Sequence, residues 1–464
     1  MNNRRRFGLG LSFVAALLAA AVVIFSRGFV IEIRASSDTP PLIPDAAEET
    51  RNGGGRSLPV AGDVLIAGGM GTGRTKMKTV AAAEFYDPNK GKFFQTGSMP
   101  VTAAVQGASL VSPSPGAKVA AFGGISGTGH ANVNLLSFTG TVVANAEIYD
   151  PSAGTWSAAA NMMSTPRAGA TATLLGSGLI LIAGGFDANE KALNSAELFN
   201  PLDGTFVAAD NTMTDARAFH TAILLLSGKV LLVSGLTDNN GTTSSTADIF
   251  DPTAGTHGRF TESTGFPAAA AAAASVLFPS GPLMGDVLIT GGDGCGSGAV
   301  CSAVTAELYD PATDQFTFPA SMNESRLTHT ATLLQSGKVL IAGGINVTAT
   351  MSAGTVNGAG ASTTFSKSAE LFDPASISFT CVGGAGAHGG CKSTMTKTRA
   401  GHSATLLSNG TVLIAGGFVA YGRPIFQMGN ATNSAEIFDP ASGTFKKTKS
   451  MHTARGGQTA TLLQ

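Results

Sequence analysis

The stretch Met322-Asn-Glu-Ser-Arg326, His329-Thr-Ala-Thr-Leu-Leu334, Val339-Leu-Ile-Ala-Gly343-Gly344 and, after an interval, Ala369-Glu-Leu-Phe-Asp-Pro374 decides how this chain folds. His329 to Leu334 and Lys338 to Ala342 are short and rich in β-branched and apolar residues, and Gln335-Ser-Gly337 between them reads as a hairpin turn. The second run is apolar without interruption, as expected of a strand covered on both faces by neighbouring sheets. Ala369 to Asp373 supplies a third strand. Asp-Pro then opens a turn in which Pro fixes φ, and the aromatic Phe379 marks a fourth strand. We label the four strands A to D.

Relatives of this stretch recur from Gly62 to the end. The diglycine that closes strand B stands at Gly68-Gly69, Gly123-Gly124, Gly184-Gly185, Gly291-Gly292, Gly343-Gly344 and Gly416-Gly417, with Ser234-Gly235 as a degenerate seventh. Each copy then carries an acid at the head of strand C: Glu84, Glu147, Glu197, Asp248, Glu307, Glu370 and Glu436. An aromatic follows, at Phe93, Trp156, Phe206, Phe260, Phe316, Phe379 and Phe445, placed to pack against the neighbouring blade. Seven copies of four antiparallel strands make an all-β, seven-bladed β-propeller over 58–464. The first copy lacks strand A, whereas Gln458-Thr-Ala-Thr-Leu-Leu463 is a strand A without a B. Pairing the two completes one blade from both ends of the sequence and leaves no open edge.

Composition agrees with short strands and tight turns. Of 464 residues 60 are glycine, only 13% are charged, and the net charge of -1 gives no basic field for nucleic acid. Ahead of the repeats, 1–6 holds Arg4, Arg5 and Arg6, and the run from Phe7 to Phe25 has no ionisable side chain. That run suffices, as a helix, to cross a hydrocarbon core of roughly 30 Å. We read 7–26 as an uncleaved signal-anchor, with 1–6 as a cytoplasmic tail and the propeller outside the cytoplasm; a cleaved signal peptide, giving a secreted protein, is the alternative. Residues 27–57, with Pro40, Pro41, Pro44 and Gly53-Gly54-Gly55, read as a flexible linker.

The diglycine, the later aromatic and the Arg-x-x-His before strand A together resemble the Kelch repeat, in the variety found in the central domain of galactose oxidase. The likeness covers roughly Gly62 to Gln464 and implies the propeller fold. That family's enzymes bind copper through two Tyr and two His, one Tyr being crosslinked to Cys. In this chain Tyr86, Tyr149 and Tyr309 occupy a repeat position just before Asp-Pro, and only Tyr421 falls outside it. The copper pattern is therefore missing, and no cofactor or metal is implied.

The regular polar residues belong to the scaffold. Arg167, Arg217, Arg326, Arg399 and Arg455 precede strand A in five copies, with Ala103 and Ala270 in the others. Because a buried carboxylate needs a partner, we expect these Arg to pair with the strand-C acids between sheets. His220, His329 and His402 share one position, held by Gln106, Ala170, Ala273 and Gln458 elsewhere, and are expected to hydrogen-bond within their own blades. Cys295 with Cys301 and Cys381 with Cys391 lie in short glycine-rich spans and read as two local disulfides, a four-thiolate metal site being the alternative.

Strand parity places the A-B and C-D turns on one face and the B-C and D-A connections on the other. The first set is short and uniform. The second is long and irregular, above all at Ile125 to Val143, Ile345 to Lys367 and Phe418 to Asn433, and elaborated loops on a rigid ring are where binding usually sits. Candidates there are Asp187, Glu190, Asp238, Asp293, His130, Tyr421 and Arg423. Two functions follow. One is a membrane-tethered, monomeric binding protein for a protein or glycan ligand on this face. The other is a carbohydrate-active enzyme of oxidase, hydrolase or epimerase type on the same face, with Asp187 and Asp238 as general acid and base.

Overall fold

The computed structural model describes residues 58–72, 77–132, 135–239, 242–268, 270–293, 302–348, 362–386, 390–392, 394–419 and 430–464. The expected tail, anchor and linker at 1–57 lie outside the described residues.

Seven four-stranded antiparallel sheets, each in the order A-B-C-D, are arranged as blades. In blade 6 the strands are Thr330–Leu333, Val339–Ala342, Ala369–Asp373 and Ser378–Cys381, within a residue of the ends expected from sequence. Blade 1 joins both ends of the sequence, since Val64–Ala67 pairs with Thr459–Leu462 on one side and with Ala83–Asp87 on the other. The A strands are innermost, each approaching the next from Gly107–Leu110 in blade 2 round to Thr459–Leu462. Every strand B is buried throughout, as its unbroken apolar sequence requires.

The strand-D aromatics pack against the neighbouring blade, as expected: Phe93 lies with Leu413 and Ala415 of blade 7, Trp156 with Leu65 and Ala67 of blade 1, and Phe206 with Phe122 of blade 2. Each also pairs with the aromatic near the end of strand C of its own blade: Tyr86 with Phe93 at 4.9 Å between ring centroids, Phe199 with Phe206 at 4.8 Å, Phe438 with Phe445 at 4.9 Å. The other four blades repeat the pair. The cause is register: Asp-Pro and the short turn set these two residues directly opposite each other, within contact range of aromatic rings.

The diglycines join blades. Gly185 N–H donates to the Arg217 carbonyl at the entrance to the next blade, and the corresponding bond recurs from Gly69 to Ala103, Gly292 to Arg326 and Gly417 to Arg455. A Cβ on Gly184 would sit 2.2 Å from that Arg217 oxygen, and Gly184 has φ +62, so both packing and backbone demand glycine there.

A further ring encircles the axis. Val105, Gly169, Phe219, Ala272, Thr328, Gly401 and Gly457 each donate a backbone N–H to the carbonyl of the preceding member, and Val105 closes the cycle on Gly457. All seven have positive φ, in a left-handed conformation that three of the seven copies meet with glycine.

Candidate binding face

The B-C and D-A connections gather on one face, as parity requires, and they are more built up than the sequence indicated. Strands Met70–Thr72 and Met77–Thr79 of the blade 1 B-C loop join Ile125–Asn132 and Leu135–Val142 of the blade 2 loop in an additional four-stranded sheet. Blade 6 adds a hairpin of Ile345–Thr348 with Ser362–Phe365. In these loops the apolar residue after the diglycine continues the strand, which is the signal that sequence reading passed over.

Beneath the loops lies an apolar collar. The residue after the diglycine is Met70, Ile125, Phe186, Leu236, Ile345 or Phe418 in six blades, and these pack in one buried cluster with Ala104, Ala168, Ala218, Ala271, Leu327 and Ala400. In blade 5 the same place holds Asp293, fully buried, with its N–H on the Ala271 carbonyl. Asp293 is the one candidate that breaks the repeat inside the collar.

The remaining candidates divide by location. Asp187 and Glu190 lie in the blade 3 loop and Asp238 in the adjacent blade 4 loop, and Asn239 Nδ2 donates to Glu190 Oε2 at 3.2 Å across the two. Asp187 Oδ1 accepts the N–H of Asn189 at 2.8 Å and of Lys191 at 2.9 Å, while Asp238 accepts the N–H and hydroxyl of Thr242 at 3.0 and 2.8 Å. Both carboxylates therefore hold their own turns in shape. The strand Ile125–Asn132 carries His130, whose side chain lies outside the described residues, as do Tyr421, Arg423, Cys295 and Cys301. The pair Cys381–Cys391 is a disulfide with Cα atoms 5.1 Å apart, and it closes the start of the D-A connection of blade 6.

Arginine and acid do meet, in five blades. Arg167 reaches Glu197 at 3.2 Å, Arg217 reaches Asp248 at 2.6 Å, Arg326 reaches Glu370 at 3.1 Å, Arg399 reaches Glu436 at 2.8 Å and Arg455 reaches Glu84 at 2.9 Å. The pairing lies within one blade, not between sheets: the Arg sits on the connector entering the blade and latches it to that blade's own strand C. The guanidinium also donates to two backbone carbonyls, in blade 3 those of Gly184 and Ser195. These contacts satisfy a buried cation.

Histidine departs from expectation in a similar way. His220 Nε2 meets Thr171 Oγ1 at 2.9 Å, His329 meets Thr290 at 2.9 Å and His402 meets Thr330 at 3.0 Å, each threonine belonging to the preceding blade. Burial pushes all three imidazoles down to about 3, so they are neutral. The tyrosine hydroxyls are likewise occupied at the far ends of three separate blades: Tyr86 on Thr448, Tyr149 on Thr96 and Tyr309 on Asp314. Among the described residues no three of His, Cys, Asp and Glu converge on a common point.

The sequence matches no family model and no curated protein. Among solved structures it is similar to a fungal alcohol oxidase of the AA5 family, determined in complex with copper. That match has a TM-score of 0.55 and 18% identity, and covers 84% of this chain and 75% of the oxidase. The likeness is one of fold. It supports the β-propeller expected from the repeats. A protein named YjhT also matches, with a TM-score of 0.44 and 12% identity over 84% of this chain and 99% of that one.

Proposed function

We propose that the chain is a membrane-tethered, extracytoplasmic propeller that binds a protein or glycan through its long-loop face. The observation that carries this reading is the asymmetry of the ring. One face ends in short turns capped by their own Asp-Pro carboxylates, as Asp150, Asp251 and Asp439 do, whereas the other carries the additional sheet and hairpin above the apolar collar. A scaffold alone would not need two kinds of face, and binding residues concentrate on loops held by rigid elements. The tether in this reading is the apolar run from Phe7 to Phe25.

Copper chemistry does not suit the described side chains. The hydroxyls of Tyr86 and Tyr149 meet Thr448 and Thr96 of their preceding blades and that of Tyr309 meets Asp314 of its own, while the three histidines of the repeat sit neutral between blades on threonine hydroxyls. Their separation leaves no shared point at which they could hold one ion.

The test is a glycan-array and peptide-array screen of the full chain in detergent. Hits are re-measured on variants in which Ile125–Val143 and Ile345–Lys367 are each replaced by the short blade 3 loop, Phe186–Asn194. Loss of binding by tenfold or more in either variant is expected. Undiminished binding with both loops replaced would sink the proposal, and catalytic turnover of a hit would replace it by an enzyme.

A further inference from the structure

The five Arg latches leave two blades out. In blade 2 the Arg position is Ala103 and in blade 5 it is Ala270, yet strand C keeps its acid, Glu147 or Glu307, in the same register against strand B. Glu147 lies opposite Ala121 as Glu197 lies opposite Ile182, two residues before the diglycine in each case. Both carboxyls are buried, 1% and 3% exposed. Each retains one bond from its connector, Val101 N–H to Glu147 at 2.6 Å and Ala268 N–H to Glu307 at 3.1 Å. The other oxygen of Glu147 has no hydrogen-bond partner among the described residues.

We propose that blades 2 and 5 are proton-operated latches, in which the entering connectors are held while Glu147 and Glu307 carry a proton and loosen when those carboxyls ionise. What surrounds them favours the neutral form. Glu147 is flanked by Ala121 of strand B, Ala158 of strand D, and Val101 of the connector. Glu307 faces Ile289 of strand B and the connector at Ala268, and on the strand-D side the pairing skips it at a bulge. None of these neighbours is charged or titratable. Burial, offset only by the one backbone N–H, raises each carboxyl to about 7. The connectors run straight into the axial ring, at Val105 and Ala272, so a loosened latch acts on that ring.

The sign follows from linkage. A carboxyl near 7 in the folded protein and about 4.3 in an unfolded chain binds more protons when folded, so the latch is firm at low pH and weakens as pH rises towards 7. Well above 7 the weakening levels off. For each site the latch constant falls about tenfold between pH 6 and 8.

Amide hydrogen exchange on the full chain, corrected for intrinsic rates, reads this directly. Protection at Val101 and Ala268 should fall about tenfold from pH 6 to 8. Ser164, bonded to Glu197 in the Arg-latched blade 3, serves as the control and should not change. Glu147→Gln and Glu307→Gln should flatten the profile at their own sites. Should either fail to fold, Ala103→Arg and Ala270→Arg, which supply the missing cation, should flatten it instead. Protection at Val101 and Ala268 that tracks Ser164 across the range would overturn the proposal, as would a wild-type slope preserved in the substituted proteins.

Discussion

Arg326 shows how a single side chain can look like chemistry and act as structure. Its guanidinium reaches Glu370, the Gly343 and Ser368 carbonyls and the Ser368 hydroxyl, all without solvent contact. Truncation strands the Glu370 carboxylate in the blade, and leaving one member of a buried pair costs about 3–5 kcal/mol. Arg326→Ala is therefore expected to lower the melting temperature by several degrees in a calorimetric scan, and an unchanged scan would refute the latch. Such pairing was readable from the repeat because Arg and acid recur together in five copies. Which sheet the Arg serves was not, since the connector runs between two blades and sequence spacing is silent on the side to which it turns. Asp187 and Asp238 brace their own turns, contacts that sequence spacing alone did not disclose.

Among the elements, the D-A connection of blade 6 is the most elaborated described example. The disulfide Cys381–Cys391 closes its first part, and the Cys391 N–H donates to Glu324 Oε1 at 2.8 Å. Glu324 in turn accepts from the Ser368 hydroxyl at 2.6 Å, so the loop is tied to the Arg326 connector. Closing a loop this short removes about 2–3 kcal/mol of chain entropy from the open state. Reducing the bond, or making Cys381→Ser, should raise exchange at residues 382–386 and 390–392 by at least tenfold while leaving strand B of blade 6 protected. Spacing and glycine content disclosed this bridge. The strands of the additional sheet stayed hidden because their partners come from two different loops, whose meeting depends on the placement of blades 1 and 2.

For the whole molecule, the decisive contact joins residues almost 400 positions apart. Val64 pairs with Leu462 and Ala67 with Thr459, and Arg455 latches to Glu84 within the same blade. Deleting 455–464 would leave Val64–Ala67 as a wholly apolar edge strand, paired on one side only, and remove one member of the axial hydrogen-bonded ring. The expected outcome is loss of the cooperative thermal transition and aggregation in size-exclusion chromatography. A monomeric, cooperatively unfolding truncation would show that the ring does not need its closure.

The sequence by itself determined the blade count, the order of strands, the pairing of first and last segments and the face on which long loops gather. Those features follow from local period, turn chemistry and parity, each written several times over in the repeat. Tertiary structure alone decided what each repeated polar group touches: Arg on its own blade and His on the preceding one. It also singled out Glu147 and Glu307, and placed Asp293, already a candidate in the sequence, within the buried collar. Their meaning depends on what surrounds a side chain in space, and two alanines in place of arginine look unremarkable until the buried carboxyls opposite them come into view.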